Sequence, residues 1–301
     1  MSRLLSALQS LARETSRRLA PTAAPTVPAV LRIAVGAYHL WHAGSKRKLY
    51  RGVHRTDAAS FDPVGVARVL RRPLPPVLAD RLVDASLVTG ALFTAGVGHR
   101  VIGPLHAALQ TWNFSYRNSF SMVFHHENAL VLHTMVLAVA PAADALSLDA
   151  LARDRCLIPR RRSWMYGATP TVMNTAMAGT YLLAGLAKFT GEDGAGWVDG
   201  ASMRQQVAVD ALRKDRLGEG TNELAQLLYP RRLLFTLMAA GAIIIEIGAP
   251  LAVLDRRLGR LFGIGACSMH WGIKAIMRIT FPYHLSGVLY LPLWLMPPPQ
   301  R

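Results

Sequence analysis

Long stretches without charge constrain this chain more than any other feature. Thr169 to Ala187 carries no charged residue, and neither does Leu285 to Pro299. Leu233 to Leu254 carries one, Glu246, in 22 residues, and Asn128 to Ala143 carries only His133. A helix of about 20 apolar residues crosses the hydrocarbon core of a bilayer, and helical pairing satisfies its backbone there. Several such runs in 301 residues predict an all-α, polytopic integral membrane bundle. The expected spans run from about Val27 to Ala43, Leu78 to Val97, Val101 to Phe114, and Glu127 to Leu146. Four more run from about Pro170 to Phe189, Leu233 to Leu254, Leu258 to Ile276, and Phe281 to Leu295. The count is about eight transmembrane helices, or about seven if the short Val101 to Phe114 run does not cross.

Charge placement narrows the class further. The chain has 34 Lys+Arg against 18 Asp+Glu, a formal net charge of +16, while 51% of it is apolar. Such a basic excess suits a polyanion or an anionic lipid surface. The arginines sit mostly between the apolar runs, and no compact basic module stands apart, so nucleic acid is not an expected partner. Arg3, Arg13, Arg17 and Arg18, then Arg153 to Arg162, then Arg256, Arg257 and Arg260 all fall on one side of an eight-span chain. The positive-inside rule places that side, with the N-terminus, in the cytoplasm, and the protein in a plasma (inner) membrane. Two basic loops oppose this pattern, one from Lys46 to Arg72 and one from Arg204 to Arg232.

Residues 1–26 read as a basic amphipathic arm, with Leu4, Leu5, Leu8, Leu11 and Leu19 on one helical face, or as a disordered tail. They lack the continuous apolar region of a secretory signal. Residues 27–298 are the expected transmembrane domain. Cys156 and Cys267 are too few for a disulfide framework or a thiolate metal site.

Ionisable groups within apolar runs are functional candidates, because lipid makes them costly. Lys188 ends the charge-free run Tyr181-Leu-Leu-Ala-Gly-Leu-Ala-Lys188, with Trp197 nine residues later. A desolvated lysine loses its proton more readily and serves as a base, whereas a snorkelling lysine keeps it in the interface. Glu246 needs a proton or a partner, and Arg32, His270 and Lys188 are the candidates. His270, Lys274 and Arg278 share one helical face. His125 and His126 open the fourth run, with His133 two turns on. About 10 Å of helix rise separates His126 from His133, so no metal site is expected. Gly96-Val-Gly98 and Gly263-Ile-Gly265 lack the third glycine of a dinucleotide loop, and there is no phosphate loop or nucleophile elbow.

The run from Tyr181 to Lys188-Phe189, followed by Trp197-Val-Asp-Gly200-Ala-Ser-Met203, resembles the signature of the HTTM family. That is the horizontally transferred transmembrane domain shared with vitamin K-dependent gamma-carboxylase. Ser147-Leu-Asp149, His126, and His270 followed by Phe281-Pro-Tyr283 match more weakly. The resemblance covers most of residues 28 to 298. It implies a lyase or oxidoreductase that uses reduced vitamin K or menaquinone with O2 and CO2. Lys188 matches the family's catalytic base and His126 its assisting histidine. His125, His270, Glu246, Trp197 and Arg32 are the expected substrate-binding or supporting residues.

Membrane lipid, a peptide or protein substrate, and a membrane or soluble partner chain are the expected partners. The chain departs from the animal carboxylase at two places. Extra residues stand around Gly191 to Gly196, and the sequence reaches only Arg301, so no lumenal substrate-binding domain is expected. Glutamyl carboxylation is therefore the part of the family chemistry with least support. Two other readings stay open: a non-enzymatic membrane binding or immunity-type protein, and a quinone-linked redox membrane protein.

Overall fold

The computed structural model describes residues 19–120, 125–191 and 194–298. Among them the chain is helical, and the lone β-bridge joins Ala23 to Ser163. The residues separate into two compact units. One takes the chain up to Met173 together with the residues from Leu295 onward, and the other runs from Asn174 to Trp294.

In the first unit, α1 (Thr26–Ser45), α3 (Pro76–Ala95), α4 (His99–Asn118) and α5 (Asn128–Val139) pack on one another. A short α2 (Arg47–Val53) follows α1, and α6 (Leu148–Asp154) follows α5. Ser147 and Asp149 tie these elements together. Ser147 Oγ caps α6 by accepting from Ala150 N at 2.9 Å. Asp149 caps α4 by accepting from Gly98 N at 2.8 Å and His99 N at 2.9 Å. Each cap satisfies amides that a helix start leaves without partners.

The helix α7 (Trp164–Thr190) runs from the first unit into the second. The second unit then holds α8 (Ala201–Arg216), α9 (Glu223–Leu228), α10 (Arg232–Gly248), α11 (Leu251–Leu254) and α12 (Arg256–Met277). It closes with α13 (Pro282–Leu285) and α14 (Leu291–Trp294). Val207, Ala225 and Phe235 form a small apolar core between α8, α9 and α10.

No helix among the described residues is long and apolar enough to cross a membrane. This corrects the expected polytopic bundle, its transmembrane domain over residues 27–298, and the inner-membrane placement with a cytoplasmic N-terminus. The physical reasons differ from run to run. The run Leu233 to Leu254 breaks at Pro250, which leaves the 17 residues of α10. At 1.5 Å per residue they rise about 25 Å, short of a ~30 Å hydrocarbon core. The fourth run stops at Val139, before Pro141, and α5 has 12 residues. The last run is split into α13, a 3₁₀ turn at Val288–Tyr290, and α14. Helix α12 includes Arg256, Arg257, Arg260 and Lys274, and α3 includes Asp80, Arg81 and Asp84. Helix α7 has the length but carries Thr169, Thr171, Asn174, Thr175 and Thr180.

Part of each basic loop that opposed the charge pattern is helical, and several of its cations have carboxylate partners. Arg47 and Arg51 reach Asp84 at 2.7 and 2.5 Å, and Arg55 reaches Asp80 at 2.6 Å. On α8, Asp210 holds Arg213 at 3.0 Å and Lys214 at 2.8 Å. The amphipathic arm up to Arg18 lies outside the described residues.

Arg32, an expected supporting residue, makes a structural clamp within the first unit. Its side chain is fully buried, and it donates to Ala142 O at 2.5 Å and Leu146 O at 2.6 Å. Burial lowers its pKa to about 10, opposed by nearby Asp149. Both carbonyls belong to the bend between α5 and α6, and Leu146 adopts φ 48° there. Replacing Arg32 with Met takes the charged donor from both carbonyls, of which Ala142 O is buried and Leu146 O part-buried. We expect a loss of roughly 3 kcal/mol, since one hydrogen bond to a charged group contributes about 1.5–3 kcal/mol. Urea denaturation of the variant measures it, and an unchanged midpoint contradicts the clamp.

Candidate functional site

Two clusters of ionisable residues stand out, one in each unit. In the first unit, Glu127 is the centre. It ends the 3₁₀ turn His125–Glu127 that leads into α5. Its Oε1 accepts from His42 Nε2 at 3.2 Å and Tyr50 Oη at 3.5 Å. Its Oε2 accepts from Arg117 Nη2 at 2.7 Å, and the guanidinium lies 4.3 Å from the centre of the Tyr50 ring. Burial pushes the Glu127 carboxyl up, but the His42 hydrogen bond and the Arg117 charge outweigh it and lower it to about 2. His126 Nε2 lies 3.8 Å from Glu127 Oε1. The His125 side chain lies outside the described residues.

The cluster borders a cavity of about 50 Å³, lined also by His39, Gln110, Val83 and Leu130. A dry cavity of ~150 Å³ takes one benzene ring, so this one suits a few waters and not a fused bicyclic quinone. Deeper in, Gln110 Nε2 donates to His39 Nδ1 at 3.0 Å, which directs His39 Nε2–H to Ser86 Oγ at 3.4 Å. The Thr89 hydroxyl donates to Ala85 O, so it accepts from His106 Nδ1 at 3.2 Å. The two imidazoles meet edge to face at 4.8 Å. Burial lowers His39 to about 4 and His106 to about 3.

These shifts set the acid stability. A histidine whose folded pKa lies below its unfolded value binds its proton mainly when unfolded. The stabilisation is complete above pH 6.5 and is lost as pH falls towards 4 for His39 and 3 for His106. Glu127 adds a loss in the same direction below its ordinary 4.5, towards about 2. The urea midpoint is expected to fall steadily from pH 7 to pH 4, and a flat profile contradicts the buried neutral imidazoles.

In the second unit, Lys188 Nζ meets Glu246 Oε2 at 2.5 Å. The two side chains are 17% and 9% exposed, so the pair is shielded but reachable. Trp197 covers the lysine, its ring centre 5.1 Å from Nζ. Two glycines permit this arrangement. A Cβ on Gly185 of α7 would lie 2.9 Å from Glu246 Cβ on α10, so the glycine lets the two helices touch. Gly200 has φ +82°, and a Cβ there would lie 2.5 Å from the backbone of Phe235 and Thr236. Thr236 Oγ1 also donates to Asp199 O at 2.6 Å. The Trp197-Val-Asp-Gly200 segment is thereby held against α10.

Earlier on α7, Tyr181 shares a hydrogen bond of 2.9 Å with Tyr290, hydroxyl to hydroxyl. Tyr290 Oη lies 3.3 Å from His270 Nδ1, which also contacts Ala266 O at 2.8 Å. His270 stacks on His284 with ring centres 4.1 Å apart. Lys274, on the same face as His270, turns instead to the Trp271 ring at 4.5 Å.

The structure therefore brings Lys188, Glu246 and Trp197 together and gives Glu246 one of its three candidate partners. His126 belongs to the Glu127 cluster of the first unit, and Arg32 to the clamp. Sequence reasoning missed Arg117, Tyr50, Gln110 and Tyr290, which stand in polar stretches or as single aromatics with no periodic signal. Among the described residues, no three His, Cys, Asp or Glu side chains converge to hold a metal ion. No protein-family model, curated protein or solved structure matches the chain.

Gly200 offers a direct check on this geometry. Gly200→Ala adds both backbone strain and a clash with α10. Strain of this kind costs about 1–3 kcal/mol. A drop in the thermal midpoint is expected, and a variant as stable as wild type contradicts the close approach.

Proposed function

We propose that the chain is an enzyme of the quinol-dependent, carboxylase-like kind. It removes a hydroxyl proton from a reduced naphthoquinone at the Lys188–Glu246 pair, with O2 and CO2 as co-substrates. One observation carries this reading. Lys188 and Trp197, two residues of the stretch that resembles the HTTM signature, meet in one unit at a shielded charge pair with Glu246. A flat hydroquinone suits that set, since an indole plane stands beside two polar atoms able to exchange a proton. When bound, the reduced quinone supplies the strong base that the family uses on a glutamyl carbon. Lys188 and Glu246 would meet its hydroxyl, and Trp197 its ring. The carboxyl acceptor is a peptide or protein on the resemblance alone.

The same contact supports a second reading. Lys188 and Glu246 satisfy one another, as an interhelical tie would in a non-enzymatic binding protein. Activity separates the two. Purified protein with reduced menaquinone and oxygen is expected to yield quinone epoxide, and Lys188→Ala to lower the rate ~100-fold or more, the usual cost of removing one member of a proton-exchanging or oxyanion-stabilising pair. No epoxide from wild type, or equal epoxide from the variant, leaves the tie.

A further inference from the structure

The family resemblance makes Lys188 the base. The geometry points to the reverse division of labour: we infer that Lys188 acts as a fixed cation and that Glu246 accepts the substrate proton. The inference rests on the proposed function for its substrate class, an acidic hydroxyl on an aromatic ring.

Three observations lead there. A lysine base needs a free lone pair aimed at the substrate, but Nζ lies 2.5 Å from Glu246 Oε2. Nζ is placed there as the donor of a charge-assisted hydrogen bond to the carboxylate, with no lone pair turned to a substrate. The second neighbour acts in the same direction, because the Trp197 ring centre is 5.1 Å from Nζ and an aromatic face attracts a cation. Gly185 is the third. A Cβ there would meet Glu246 Cβ and the Ile247 side chain at 2.9 Å, so the glycine is what lets α10 deliver the carboxylate to α7. The bond to Lys188 uses Oε2, and Oε1 is the carboxylate's second acceptor atom.

Charge accounting favours the same roles. An amine beside a carboxylate would leave a net negative charge where the substrate oxygen is about to become negative, and like charges in a shielded site repel. An ammonium–carboxylate pair starts neutral. The substrate O–H bond breaks and a carboxyl O–H bond forms on Glu246, while the electron pair stays on the substrate oxygen. Glu246 becomes neutral, and Lys188 faces the new oxyanion. The net charge of the site does not change.

Two measurements test this. The first is the NMR signal of Lys188 Nζ in 15N-lysine-labelled protein at neutral pH, assigned by its loss in Lys188→Arg. An ammonium signal is expected, and an amine signal overturns the inference whether or not the protein turns over quinol. The second uses 1-naphthol, whose absorbance reports its ionisation. Wild type is expected to show bound naphtholate together with the infrared band of a newly protonated carboxyl, a band that Glu246→Gln lacks. Naphtholate bound to wild type without that carboxyl band, or no naphtholate with wild type, overturns it. If naphtholate forms but reduced menaquinone yields no epoxide, the proposed function fails while the assignment of roles stands.

Discussion

An ionised side chain surrounded by apolar helices costs several kcal/mol unless an opposite charge or oriented dipoles replace the water it has lost. Each charged cluster of this protein answers that constraint in its own way. Arg32 is met by two carbonyls at a bend, Glu127 by a guanidinium with an imidazole and a phenol, and Lys188 by a carboxylate with an indole face. The helices are placed so that these partners meet. Removing Lys188 or Glu246 leaves the other shielded and without its opposite charge.

The clusters differ in what they leave open. Around Glu127, His42, Tyr50 and Arg117 all turn to the same carboxylate, and the adjoining cavity is small. That arrangement stabilises a charge and leaves little room for a large ligand. The Lys188–Glu246 pair is simpler, with two groups, a half-buried indole and limited exposure. A site able to exchange a proton needs that kind of incompletely enclosed pair, in which an incoming hydroxyl takes a position that no other protein group occupies.

Apolar run length proved a poor guide to helix length. The Leu233 to Leu254 run has enough residues to cross a bilayer, but Pro250 interrupts its hydrogen-bond ladder. The Leu285 to Pro299 run contains Gly287 and Pro292 and becomes short turns. The loop arginines were similarly misleading. Read as a one-dimensional pattern, those from Arg47 to Arg55 opposed the orientation rule; in the fold they form a ladder with Asp80 and Asp84. Their partners lie about 25 to 37 residues away, beyond the reach of any local pattern.

Some features were legible from residues alone. The helical character was read from the apolar runs as bilayer spans, and helices do form there, though none among the described residues is long and apolar enough to cross a membrane. Lys188 and Glu246 stood out because each is a lone charge in an apolar context, and burial cost is a property of the residue and its near neighbours. Gly200 and Trp197 were marked by spacing. Only the tertiary structure decided that Glu246 chooses Lys188 over Arg32 or His270, that Gly185 is the point of helix contact, and that Arg32 serves a bend instead of a site. Pairing depends on which helix faces are brought together, and that is set by the packing of the whole chain, so a single sequence names the charges but not their partners.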